Sequence, residues 1–182
     1  MYKTGKIIKV KGVNCLILDV IDGNPFVVAL DVDINTEFND KNTDYRGSTL
    51  RVKCENWFNK LKIPVVPRIV DFTAMDGCKK YGVLSLNVAP LTFDEYRKYS
   101  SIIKPHIKSW FWTVTPWGDP DIDNWTSNGV CYVDTGGSAN NYYYTGSNTL
   151  APAFILDKEY LNDILKSFQT EELLAEIARR VK

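Results

Sequence analysis

The stretch from Lys6 to Leu30 constrains the fold more than any other part of the chain. "KIIKVKG" and "NCLILDV" alternate or run apolar, and "IDGNPFVVAL" places an Asp-Gly-Asn turn before a further apolar run. Aliphatic and β-branched runs closed by Gly, Asp and Asn read as paired strands, because those turn residues accept the positive φ that a tight hairpin requires. The pattern predicts an antiparallel ribbon over residues 1–21, continued by a strand from Phe26 to Leu30.

Helical signals follow. "STLRVKCENWFNKL", residues 48–61, offers Ser48 as a cap and apolar residues at 50, 54, 57, 58 and 61, which share one helical face. Pro64 and Pro67 close it. "YGVLSLNVAP" reads as a strand and "LTFDEYRKYSSII" as a helix, with Thr92 and Glu95 in capping-box spacing. "LAPAFIL" reads as a final buried strand. The remainder, "DKEYLNDILKSFQTEELLAEIARRVK", predicts two short amphipathic helices broken near Gln169, the second capped by Thr170. The expected fold class is α+β, with one domain over residues 1–156. A helical tail over 157–182 is expected to pack on it or to form an oligomer contact.

Composition narrows the function. Hydrophobic residues make up 45% and charged residues 24%, an ordinary globular balance. Twenty-two Lys and Arg offset 22 Asp and Glu, which removes any global electrostatic case for DNA, RNA or an anionic membrane. Apolar runs such as "NPFVVAL" are too short to cross a bilayer, and "MYKTGKIIKVKG" lacks a signal-peptide core. Cys15, Cys54, Cys78 and Cys131 are widely separated and form no Cys-x-x-Cys pair. They are expected to be reduced, with Cys15 and Cys131 buried in strands. Together with one histidine they make a poor zinc inventory. The expected location is the cytoplasm, and no cofactor or metal is expected.

The composition changes between Ser109 and Asp157. That interval holds no Lys or Arg, while Asp119, Asp121, Asp123 and Asp134 are present, as are Trp110, Trp112, Trp117 and Trp125. It also contains "SANNYYYTGSN", residues 138–148. Tyrosine among Ser, Gly and Asn is the composition of evolved binding loops, since the ring gives wide contact with few rotors to freeze. If alternate tyrosines pack inward from a strand, either Tyr143 alone or Tyr142 with Tyr144 remains outside, so at least one ring faces out. Trp117 and Trp125, flanked by Gly, Asp and Asn, are expected as surface anchors. With Asp119, Asp121, Asp123, Asn140, Asn141, Tyr142, Tyr143 and Tyr144 they form the expected partner-binding face.

Several segments taken together resemble a known family. "GKIIKVKGVNCLILDVIDG", "YRGSTLRVKCENWFN", "VLSLNVAPLTFDEYRKY", "FWTVTP" and "LAPAFIL" are similar to a bacterial and phage domain family of uncharacterised function. Its members carry a Trp-Trp-Leu-Arg-Ser-Pro-like strand and close on Val-Arg-Pro-Ala. That family is itself similar to the C-type-lectin-like fold of the variable proteins of diversity-generating retroelements. The resemblance covers roughly residues 5–156. It implies a C-type-lectin-like antiparallel core with two flanking helices, Trp110 and Trp112 in the core, and a binding face between the last two motifs. Two arginines of the family pattern are replaced here, by Val114 and Ala151, so the polar contact they make is absent.

Catalytic signals are sparse. His106 is the sole histidine, and no Gly-x-Ser-x-Gly nucleophile motif occurs. Formylglycine-generating enzymes, which resemble the same fold, use a cysteine pair, whereas Cys131 stands alone in its half of the chain. Asp119, Asp121 and Asp123 at alternate positions offer oxygen ligands for calcium. The EF-hand pattern fails, because Asn124 and Val130 stand where Gly and Glu are needed. A solvated acidic turn is the competing interpretation. Basic residues at Lys3, Lys6, Lys9 and Lys11 lie away from the aromatic half, so stacking and phosphate neutralisation are not combined as in single-strand binders. The expected function is non-enzymatic recognition of a protein partner. Its sharper form, implied by the phage family, is inhibition of a host defence enzyme such as a CRISPR nuclease. A calcium-assisted carbohydrate- or receptor-binding domain is the alternative, and the tail is an expected oligomer seam.

Overall fold

Two turns set up the first sheet. Strands β1 (Ile7–Val10), β2 (Val13–Ile21) and β3 (Asn24–Ala29) form an antiparallel meander, as the sequence predicts. Val10 pairs with Val13 and Ile21 with Asn24, so each connection has two residues. Lys11 and Gly12 in the first turn, and Asp22 and Gly23 in the second, all have positive φ, between 49° and 87°. Such turns match the right-handed twist of the strands they join. The computed structural model describes residues 2–122, 127–160 and 162–163, and in them the chain is an α+β fold of mostly antiparallel sheet.

The last strand, β13 (Pro152–Leu156), enters the middle of this sheet between β3 and the short β5 (Val65–Val66), and β8 (Ala89–Pro90) also pairs with it. All five β13 residues are buried. Its neighbours are nearly continuous in apolar character because both faces are covered. Leu16, Leu18, Phe26, Val28, Ala153 and Ile155 join one cluster with Tyr96, Tyr99 and Ile103 of helix α2 (Phe93–Ile103). Ile17, Val27 and Phe154 join another with Leu50, Cys54 and Phe58 of helix α1 (Thr49–Asn59).

Both helices start as their sequences predict. The Ser48 hydroxyl accepts from the Arg51 N–H and caps α1. At α2 the Thr92 hydroxyl accepts from the Glu95 N–H, while the Glu95 carboxylate accepts from the Thr92 N–H, a complete capping box. "YGVLSLNVAP" is not one strand. Val83–Leu86 (β7) pairs with β6 (Arg68–Asp71) in a separate hairpin, and Ala89–Pro90 then joins β13. The run splits because its two ends find different partners across exposed Asn87.

The second sheet runs β11 (Ala139–Tyr143), β10 (Gly129–Val133), β9 (Phe111–Pro116), β12 (Ser147–Thr149) and β4 (Asn35–Glu37), with β12 parallel to β9. Trp112, Val114, Val130 and Tyr132 enter the α1-side cluster, and Phe111 and Val133 the α2-side cluster. Val114 is fully buried and Ala151 half-buried, both within apolar packing. Cys15, Cys54 and Cys131 are buried and all four cysteines are free. A helical turn begins at Lys158, where the Glu159 N–H donates to the Asp157 carboxylate. The rest of the expected tail, residues 161 and 164–182, lies outside the described residues. Among the described residues no helix is long and apolar enough to cross a membrane.

Candidate recognition surface

The second sheet gathers aromatic rings from three of its strands. Tyr132 on β10 lies opposite Trp112 on β9 and Asn140 on β11, and Val130 lies opposite Tyr142. Directly opposed residues in an antiparallel ladder project on the same side. Tyr132 packs edge-on against Tyr142, with ring centroids 6.0 Å apart, and Tyr142 stacks on Trp112 at 6.1 Å. At the other side Trp110 stacks on Tyr132 at 5.1 Å. Trp112 continues inward to Phe38, and Phe38 to Tyr45. The result is one row of rings from the surface into the core.

Hydrogen bonds hold the row in place. The fully buried Trp112 donates its indole N–H to the Thr36 carbonyl on β4. Tyr144 ties the β11–β12 connection down. Its N–H donates to the Asn128 carbonyl, and its own carbonyl accepts from the N–H groups of Phe38 and Asn39. Gly146 closes the turn by donating to the Tyr143 carbonyl at 2.7 Å. Tyr143 and Tyr144 stack at 4.6 Å. A side-chain hydrogen bond with Tyr143, aided by burial, raises the Tyr144 phenol above its ordinary pKa.

The predicted surface residues have different fates. Tyr142 and Tyr143 are 43% and 48% exposed, while Tyr144 is half-buried. Simple alternation therefore fails here. The strand ends at Tyr143, and Tyr144 turns back onto the core. Asn140 is exposed and Asn141 half-buried, both on β11. Trp117 is half-buried, its N–H bonded to the Gly129 carbonyl. Asp123 and Trp125 lie outside the described residues. Trp110, expected in the core from the resemblance alone, is instead 47% exposed. It precedes the first residue of β9 and, among the described residues, has only Tyr132 beneath it as a ring partner.

The acidic turn has a cation that its own segment lacks. Lys80 donates to both carboxylate oxygens of Asp119 at 2.8 Å and to Asp121 at 2.7 Å. The hydrogen bond from Lys80 lowers the Asp119 pKa, and the two carboxylates raise that of Lys80. The Asp119 N–H is further held by Asp76, and the Tyr81 hydroxyl donates to the Gly118 carbonyl. Asp119 and Asp121 thus serve an ion pair with a distant lysine. Among the described residues no group of three His, Cys, Asp or Glu side chains is placed to hold a metal ion.

His106 sits in a 3-10 turn after α2, on the rim of an apolar cleft lined also by Leu30, Ile103, Phe111 and Ala151. Ser109 shares that cleft, but its hydroxyl bonds Thr149. Sequence patterns missed Trp110 and Tyr132 as parts of the aromatic row, because single strand residues carry no sign of which rings will stack. They also missed Lys80, whose acidic partners lie 39 and 41 positions away. Comparison of the chain with protein-family models, with curated proteins and with solved structures finds no match.

Proposed function

We propose that the protein is a non-catalytic recognition module that binds another protein through the aromatic end of its second sheet. The observation that carries this reading is the set of exposed rings Trp110, Tyr142 and Tyr143, seated on a stacked, hydrogen-bonded aromatic base. Rings already held in one geometry lose little conformational freedom when a partner covers them. Exposed Trp and Tyr beside near-neutral polar residues is also the make-up of interface hot spots. The C-type-lectin-like core belongs to this reading, as does the sharper form in which a mobile element uses the face to inhibit a nucleic-acid-handling defence enzyme such as a CRISPR nuclease. The stretch around the exposed tyrosines, Thr135 through Ala151, carries no cation to neutralise phosphate, which favours a protein surface over a nucleic-acid backbone.

The test is capture from a host lysate by tagged wild type and by the double variant Trp110→Ser, Tyr143→Ser, after circular dichroism shows that both fold alike. One protein retained by wild type and lost by the variant is the expected result. If wild type retains none, or if both retain the same one, the aromatic face is not a protein-recognition site. Binding to a glycan array, lost in the same variant, would transfer the face to carbohydrate recognition instead.

A further inference from the structure

Among the described residues the strand orders of the two large sheets end at β1, β5, β11 and β4, with the two-residue β8 off the main path on β13. Three of these four ends are guarded against further pairing. In or beside β1 lie the exposed Lys6, Lys9 and Lys11. The edge at β5 is only two residues long and lies between Pro64 and Pro67. That at β4 has three residues, with Asp33, Glu37 and Asp40 in or beside it. Short length, charge and proline are the devices by which edges avoid pairing with a second chain. The fourth edge, β11, uses none of them. It has five residues, Ala139-Asn140-Asn141-Tyr142-Tyr143, and no charged residue or proline occurs from Thr135 through Ala151.

The ladder shows which backbone groups face out. The Asp134 N–H donates to the Ser138 carbonyl, and the Tyr144 N–H to the Asn128 carbonyl. Antiparallel bonding alternates, so residues 138, 140, 142 and 144 bond inward to β10 while 139, 141 and 143 direct their amides outward. Among the described residues the outward N–H of Asn141 donates only to the side chain of its neighbour Asn140. The Tyr143 carbonyl accepts from Gly146 in the turn and keeps a second lone pair.

We infer that β11 is the seam of a two-fold dimer, in which a second copy of this chain adds its own β11 antiparallel across a dyad at Asn141. A dyad there pairs Asn141 with Asn141 of the second copy, and Tyr143 with Ala139, so that outward-facing residues meet outward-facing residues in register. It sets the Tyr143 ring opposite the small Ala139 side chain, and Tyr142 opposite Asn140. A strand that pairs with itself brings each of its charges near its own duplicate, which costs energy at most edges. This edge has no such charge. The joined sheets form one continuous sheet with the aromatic row of each copy approaching the other. The inference stands on the edge backbone and is independent of the recognition reading.

The seam is small, so association is expected to be weak and concentration-dependent. Sedimentation equilibrium between about 10 µM and about 1 mM, the range that a small interface populates, should show the weight-average mass of wild type rising toward twice the monomer mass. Asn141→Lys and Asn141→Asp, each checked for fold by circular dichroism, should stay at the monomer mass, because each places like charges on the dyad. An equal mixture of the two should recover the rise, since Lys then faces Asp. A wild-type mass that stays at the monomer value over this range overturns the inference. So does association undiminished in Asn141→Lys, which would place the contact elsewhere, for instance in the tail. A mixture no heavier than either variant alone overturns the dyad at Asn141.

Discussion

A Cβ at Gly146 would lie 2.1 Å from Cε1 and 2.4 Å from Cδ1 of the Tyr142 ring. Glycine therefore stands there because the ring lies flat across the backbone on its way to Trp112. Gly146→Ala should drive the ring off Trp112. The ring is partly exposed and can swing into solvent, so the stability cost should be small, about 1 kcal/mol, at the low end for overpacking. Near-UV circular dichroism should change while urea unfolding moves little. An unchanged aromatic spectrum would show that the ring does not lie over Gly146. "SANNYYYTGSN" announces exposed aromatics without revealing this arrangement. Which tyrosine faces out depends on where β11 ends, and the bonds from Phe38 and Asn39 to Tyr144 decide that.

Among elements, Arg68 has the widest structural reach. From β6 its buried guanidinium donates to the Glu95 carboxylate at the start of α2 and to the carbonyls of Ala89 and Pro90 in β8, and it lies 5.3 Å from the Phe26 ring centroid. One side chain thus ties the β6–β7 hairpin, the α2 capping box and the strand beside β13 together. Arg68→Met keeps the stem but leaves the two carbonyls and Glu95 without their donor, which should cost about 2–4 kcal/mol. The midpoint of urea unfolding should fall accordingly, and an unchanged midpoint would show that water replaces the guanidinium without loss. Both helix caps were legible in the sequence because the capping hydroxyl and the N–H that donates to it lie three positions apart. The Arg68 clamp was not, because its partners lie 21 to 27 positions away and meet it only after the sheet has formed.

For the molecule as a whole, the buried cysteines report how tightly the interior closes. Burial pushes the thiols of Cys15, Cys54 and Cys131 up to about 12, and only Cys78 is half-buried. The thiolate is the reactive form, so a thiol both buried and protonated is inert until the fold opens. Under native conditions near pH 8, Ellman's reagent should modify Cys78 rapidly and the other three only after denaturant is added. Four equal rates in native buffer would show that the core admits reagent. Burial of Cys15 and Cys131 follows from the apolar runs around them, whereas burial of Cys54 depends on which face α1 turns to the sheet.

What the sequence determined alone is local. The Asp-Gly turn, the Ser48 and Thr92 caps, the apolar strands and the aromatic, cation-free interval each depend on residues a few positions apart, and each is present in the structure. Tertiary structure decided which rings stack and which remain outside, that Lys80 pairs with Asp119 and Asp121, that Trp110 is exposed, and that β11 is an edge among the described strands. The physical reason is that burial, ring stacking and ion pairing depend on groups brought together from distant parts of the chain. Their free energies appear only once folding has placed those groups in contact, so no window of neighbouring residues records them.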